Sequence, residues 1–198
     1  MPTATIPTSA VLSVLVTRAA PSIITEREFR DSPFGQQVDS SEARILDVLV
    51  AAEGIIKRRV NSPLIAADYV ETWPNVSSPK IFPKFRPVSQ VYSIRYTRPY
   101  AAWANLLPTY YTNTTNYIDI EPEYRSVIGY DIEIYYRAGY EKENFPADLK
   151  YAIHAQAALL LANDFELFGT GDSKNPGLTY LQQRIDEIVR LHRVGGIW

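Results

Sequence analysis

The chain has 198 residues, is 46% hydrophobic and 21% charged, and carries a formal charge of -2 with no cysteine. That length and composition suit one sizeable core with an additional arm, and the mildly acidic balance removes any global electrostatic reason to grip nucleic acid or an anionic membrane. The absence of cysteine excludes disulfides and thiolate metal sites and fits folding in a reducing compartment.

The first twenty residues are rich in Thr, Ala, Pro and Ser and show no sustained period, so residues 1–23 are expected to form a flexible arm. The apolar run from Ala10 to Val16 is too short to span a bilayer, and no basic residue precedes it as a signal peptide requires. Order is expected from Ile24. Thr25 and Glu28 have the spacing of a capping box, in which hydroxyl and carboxylate each satisfy an orphan backbone donor, and a short helix follows over Glu26 to Arg30. Asp39 or Ser40 is positioned to cap a second helix, whose Ile45, Val48, Leu49, Ala52, Ile55 and Ile56 recur at helical spacing until Asn61-Ser62-Pro63.

Between Leu64 and Tyr140 the period becomes two. Strands are expected at Tyr69 to Trp73, Val88 to Tyr96, Tyr117 to Ile120 and Tyr130 to Arg137, separated by Pro- and Asn-containing turns. Strict alternation would put Tyr92, Ile94 and Tyr96 on one face of the second strand and Val91, Ser93 and Arg95 on the other. After Gly139 the helical period returns. Pro146 suits a first helical position, Asp148 complements the dipole, and Leu149, Ala152, Ile153, Ala157, Leu160 and Leu161 form a stripe. The segment Ala157 to Ala162 is apolar on every side, so this helix is either central in its own core or shared with a neighbour. Leu149, Ile153, Leu160 and Leu161 are the candidate subunit contacts. Gly169 and Gly171 end the helix, Asn175 and Pro176 start the last one, and Gly195-Gly196-Ile197-Trp198 follows as a tail. The fold class is thus α+β: a bundle of about four helices with a small, mostly antiparallel sheet inserted at 64–140, the body running 24–194 and the tail 195–198.

No constellation for chemistry emerges. His154 and His192 fall on different helices, and Asp131 with Glu133 reads as the solvated face of a strand rather than an acid–base pair. No catalytic residue, cofactor or metal is expected. Aromatic residues cluster at Tyr92, Tyr96, Tyr100, Trp103, Tyr110 and Tyr111, which suits sheet packing and protein contacts, with a carbohydrate- or receptor-binding module as the alternative.

The segments ITEREFR (24–30), AAEGIIKRRV (51–60), FRPVSQVYSIRY (85–96), YYRAGY (135–140) and FPADLKYAI (145–153) occur in an order that resembles the head-tail connector, or adaptor, subunits of tailed bacteriophages. The resemblance runs from about Ile24 to Arg193. It implies a structural, non-enzymatic virion protein of the neck: a homo-oligomeric ring, commonly of twelve copies, docked on the portal protein and presenting a platform to the stopper or tail. Genomic DNA would pass through without specific binding, and no membrane is involved. Within that expectation Tyr100, Trp103, Tyr110 and Tyr111 are assigned to contacts with other virion proteins. Gly195, Gly196, Ile197 and Trp198 are assigned to the portal, because two glycines free the backbone and a terminal Trp is a hot-spot residue type.

Overall fold

The computed structural model describes residues 12–15, 23–36, 38, 40–98, 101–168 and 176–193. The chain divides into two compact units, residues 1–19 with 66–139 and residues 20–65 with 140–198.

The second unit is helical. Helix α1 (Glu26–Asp31) opens with the capping box that Thr25 and Glu28 predict, Glu28 N–H reaching the Thr25 hydroxyl at 3.2 Å and Thr25 N–H the Glu28 carboxylate at 2.9 Å. Ile24 and Phe29, both fully buried, face α2 (Glu42–Val60), whose Glu53 accepts the backbone N–H groups of Ile23 and Ile24. The cap of α2 is Ser41, which accepts from Arg44 N–H; this corrects the expected Asp39 or Ser40, of which Asp39 lies outside the described residues. The helix ends at Asn61, whose left-handed backbone (φ 56°) lets its N–H bond the Lys57 carbonyl. Helices α3 (Ala147–Phe168) and α4 (Pro176–His192) complete the unit. Pro146 stands just ahead of α3, its carbonyl taking Lys150 N–H. The expected helix end at Gly169 and Gly171 and the start at Asn175 lie outside the described residues.

Helix α3 is central in the core of this unit. Leu149, Ala152, Ile153, Ala155 and Ala157 are fully buried among Ile45, Leu49, Ile56, Ile185 and Ile188. At about 25 cal/mol per Å2 of apolar surface, the buried Leu and Ile side chains stabilise by roughly 1.5–3 kcal/mol each, and the alanines by less.

The first unit is a pair of antiparallel sheets. Strands β1 (Leu12–Leu15), β2 (Ala67–Trp73), β4 (Val88–Thr97), β5 (Ala104–Leu106) and β8 (Asp131–Ala138) lie in the order β1-β2-β8-β4-β5. Strands β3 (Lys80–Ile81), β6 (Tyr111–Asn113) and β7 (Ile118–Ile120) form the other sheet in the order β3-β7-β6. Alternation in β8 is strict: Ile132, Ile134, Tyr136 and Ala138 are fully buried, while Asp131, Glu133, Tyr135 and Arg137 face outward. The inner residues pack with Ile81, Ile118 and Ile120 of the smaller sheet. Residues 12–15, which the sequence assigns to the arm, pair as an edge strand with Tyr69–Thr72.

Strict alternation fails in β4. Val91 pairs with Tyr136 but Ser93 pairs with Tyr135, so Tyr92 is an extra residue in a β-bulge. The bulge reverses the expected face of Tyr92. Val91, Ile94 and Tyr96 point to the core, and Tyr92 joins Arg95 on the outer side.

Candidate interaction surfaces

The bulge builds the outer face of the five-stranded sheet. Released outward, the Tyr92 ring lies 4.6 Å from that of Tyr135, and its hydroxyl donates to Asp68 at 2.9 Å. Burial, reinforced by that donation, pushes the Tyr92 hydroxyl above its ordinary pKa. Arg137 donates to the same Asp68 carboxylate at 2.9 Å, so one carboxylate ties β2, β4 and β8 together. One position along, Arg95 pairs with Glu133 and lies under the Trp103 ring at 5.6 Å. Tyr92 and Trp103 remain 38% and 41% exposed, which makes this a charge-balanced face carrying Tyr, Trp and Arg, the residue types that dominate protein interfaces.

Two further surfaces are charged. The last turn of α2 meets the C-terminal half of α4 where Arg59 pairs with Asp186, and a cleft of about 410 Å3 there is lined by Arg58, Arg59, Asp186, Val189, Arg190 and Arg193. In the sheet unit a cleft of about 370 Å3 is lined by Thr109, Tyr110, Glu121, Pro122, Glu123 and Tyr124. Its wall is the Tyr110–Tyr124 stack, with ring centroids 3.4 Å apart and planes 17° from parallel.

The polar groups inside the molecule serve packing. Asp131 accepts Asn75 N–H at 2.8 Å and Glu133 is spent on Arg95, so these two carboxylates act separately. Glu71, fully buried, accepts from Tyr136 hydroxyl at 2.5 Å, Lys84 N–H at 3.0 Å and Trp73 Nε1 at 3.2 Å. Burial first, and then the Glu71 charge, drive the Tyr136 hydroxyl far above its ordinary pKa. His154, buried beside the edge of Phe29, is pushed below the usual imidazole range chiefly by desolvation.

His192 forms a chain that the sequence does not announce. Its Nε2 lies 2.7 Å from Asp148 Oδ2 and its Nδ1 3.1 Å from the Tyr140 hydroxyl. The carboxylate–imidazole–hydroxyl order superficially suits proton relay. Burial, followed by the Asp148 charge, raises the Tyr140 pKa, which opposes activation of that oxygen as a nucleophile. Asp148 is lowered despite desolvation, because His192 and the Leu149 N–H hydrogen-bond it. The chain fastens the end of α4 to the start of α3. Among the described residues no group of three or more His, Asp and Glu is placed to hold a metal, and no described helix is long and apolar enough to cross a membrane.

The candidate site residues separate. Trp103 lies on the exposed outer face, Tyr110 is half-buried in the acidic cleft, and Tyr111, only 9% exposed, points into the sheet core. Tyr111 is thereby corrected to a core residue, since its ring is spent within its own unit. Tyr96 also turns inward, which leaves the imagined carbohydrate platform without two of its rings. Leu149 and Ile153 are fully buried and Leu161 is 3% exposed; all three are corrected to core positions with no surface to offer a neighbour, whereas Leu160 is half-buried. Tyr100 and Gly195, Gly196, Ile197 and Trp198 lie outside the described residues.

No protein-family model and no curated protein sequence matches this chain. Solved structures do. A chain in the neck of an empty GTA particle computed with C6 symmetry aligns with a TM-score of 0.63 and 16% identity, covering 94% of this chain and 97% of that one. A chain from the virion of a native gene transfer agent (GTA) particle aligns at 0.64 and 19%, and one from the neck of a native GTA particle computed with C12 symmetry at 0.57 and 18%, each with the same coverage. The fold of this chain is therefore that of these particle components over nearly its whole length.

Proposed function

We propose that this chain is a structural subunit of an oligomeric ring in the neck of a tailed, phage-like particle, seated below the portal and joining the DNA-filled head to the stopper or tail. The observation that carries the reading is the whole-chain likeness in fold to neck and virion chains of GTA particles, at 94% coverage. The ordered sequence segments that resemble head-tail connectors support it independently. Neighbouring necks computed with C6 and with C12 symmetry support a ring whose copy number is a multiple of six, with twelve as our reading. A role without catalysis agrees with the use of Glu71, Asp148 and His192 to hold elements together. The mild net negative charge suits a passage through which DNA moves without being held.

Within this reading the exposed Trp103 face meets other virion proteins, and the tail Gly195 to Trp198 engages the portal. Negative-stain microscopy of the full chain, alone and mixed with its portal, tests the function: rings on the portal are expected. A protein that neither forms rings nor binds the portal refutes it. Deleting Gly195 to Trp198 is expected to leave the melting temperature unchanged and weaken portal binding tenfold or more, equivalent to about 1.4 kcal/mol. Unaltered portal binding by that variant removes the tail from the contact while leaving the ring reading intact.

A further inference from the structure

Closing a ring requires a heterologous contact, in which one surface of a subunit meets a different surface of the next. Two surfaces of this chain have the chemistry to meet. In the cleft at the ends of α2 and α4, Arg59 already holds a carboxylate, that of Asp186, and Arg58, Arg190 and Arg193 line the same opening with no ion-pair partner among the described residues. Basic residues in a last helical turn are commonly there to offset the helix dipole. Two helices delivering them to one cleft concentrate more positive charge than a single dipole requires.

The complementary surface is in the sheet unit. Carboxylates elsewhere are largely consumed within the chain, as Asp68 is by Arg137 and Glu133 by Arg95. Glu121 and Glu123 line one cleft together and hold no ion pair among the described residues. Beside them stand the stacked rings of Tyr110 and Tyr124. Carboxylates next to an aromatic face are the environment a guanidinium prefers, since its planar fork bonds carboxylate oxygens while its flat face stacks on a ring. Arg125, in the same turn, does not line the cleft.

We propose that the arginine cleft of Arg58, Arg190 and Arg193 docks on the Glu121–Glu123 cleft of a second copy, with Tyr110 and Tyr124 packing against the incoming guanidinium groups. The contact deepens the ring reading and rests on it. Duplex DNA is the competing occupant of an arginine cleft. It is disfavoured because the opening already contains the carboxylate of Asp186 and belongs to a chain of net negative charge.

The chain contains no cysteine, so single cysteines report contacts without background. Full-length Arg190→Cys and Glu123→Cys proteins, mixed and treated with a short bismaleimide, are expected to give a covalent dimer of the two variants. Each variant alone gives far less. In parallel, Arg58→Glu with Arg190→Glu, or Glu121→Arg with Glu123→Arg, is expected to weaken self-association tenfold or more by sedimentation, and the two sets combined in one chain restore it to within about threefold. Should wild-type rings form while the cysteine mixture stays uncrosslinked and the reversals leave association unchanged, this contact is overturned and the ring reading survives. Should the wild type fail to self-associate alone or on its portal, both fall. If the arginine reversal instead abolishes retention of duplex DNA in a gel shift and leaves self-association intact, the cleft is a phosphate site and the proposal is wrong.

Discussion

Replacing Glu71 by Ala tests whether the sheet unit depends on its buried carboxylate. Glu71 has no exposed surface and is the acceptor for the Tyr136 hydroxyl, Lys84 N–H and Trp73 Nε1. Truncation strands the Tyr136 O–H donor, because that side chain is also fully buried and its other partner, Phe85 N–H, is itself a donor, whereas water can reach the Lys84 and Trp73 donors. It also removes a negative charge that favours the cationic form of Arg86, a guanidinium held below its usual range by desolvation. A stranded buried donor costs about 1–3 kcal/mol, and removing one member of a buried charged network costs roughly 3–5 kcal/mol. We therefore expect Glu71→Ala to lose about 3–5 kcal/mol, a large share of the ~5–15 kcal/mol available to an ordinary domain. Urea unfolding followed by tyrosine fluorescence reads that loss. Glu71→Gln, which keeps one acceptor oxygen for Tyr136, is expected to lose only about 1–2 kcal/mol. A Glu71→Ala protein within 1 kcal/mol of wild type refutes the reasoning.

Acid sensitivity should come in two windows. Desolvation holds folded His154 below its unfolded value near 6.5, so the unfolded chain binds the extra proton and stability falls as pH drops below about 6.5; His154→Phe should flatten that part of a melting-temperature profile. Glu28 is held at about 2 by the Thr25 N–H and, after a desolvation penalty, by Lys150, so its contribution is present above about 4.5 and is lost as pH falls toward 2; Glu28→Gln should blunt the lower window. Gly35→Ala places a methyl carbon 2.1 Å from the Phe29 carbonyl oxygen, and backbone must move, at a cost of about 1–3 kcal/mol or more by calorimetry. Tyr92→Phe strands no fully buried partner, since Arg137 still serves Asp68, and circular-dichroism melts should place its loss near 1 kcal/mol.

Local rules carried much of the fold. The capping box at Thr25, the left-handed stop at Asn61 and the period-two run of β8 each depend on residues within four or so positions, so they are visible in a linear reading. Strands β3, β5 and β6 have two or three residues, too few to show a period. The His192–Asp148–Tyr140 chain joins positions 44 and 52 residues apart, and the arginine cleft joins α2 to α4, so neither has a local signal. The even apolarity of α3 left two outcomes open, and its own unit's core decides between them for Leu149, Ile153 and Leu161.

The bulge at Tyr92 shows why a surface is harder to read than a core. Pattern reasoning treats a strand as a strict two-state alternation, and that suffices to find which strands exist, because core residues such as Ile94, Ile132 and Ile134 dominate the signal. One extra residue between Val91 and Ser93 leaves those core positions inward, since the pairing resumes in phase at Ile94 and Ile134. It turns Val91 toward the core and Tyr92 to the outer face. There it brings the Tyr92 ring against Tyr135 and its hydroxyl to Asp68, and completes the row in which Arg95, Glu133 and Trp103 follow. The same insertion that leaves Ile94 and Ile134 inward thus composes an exposed face, since bulges re-aim side chains.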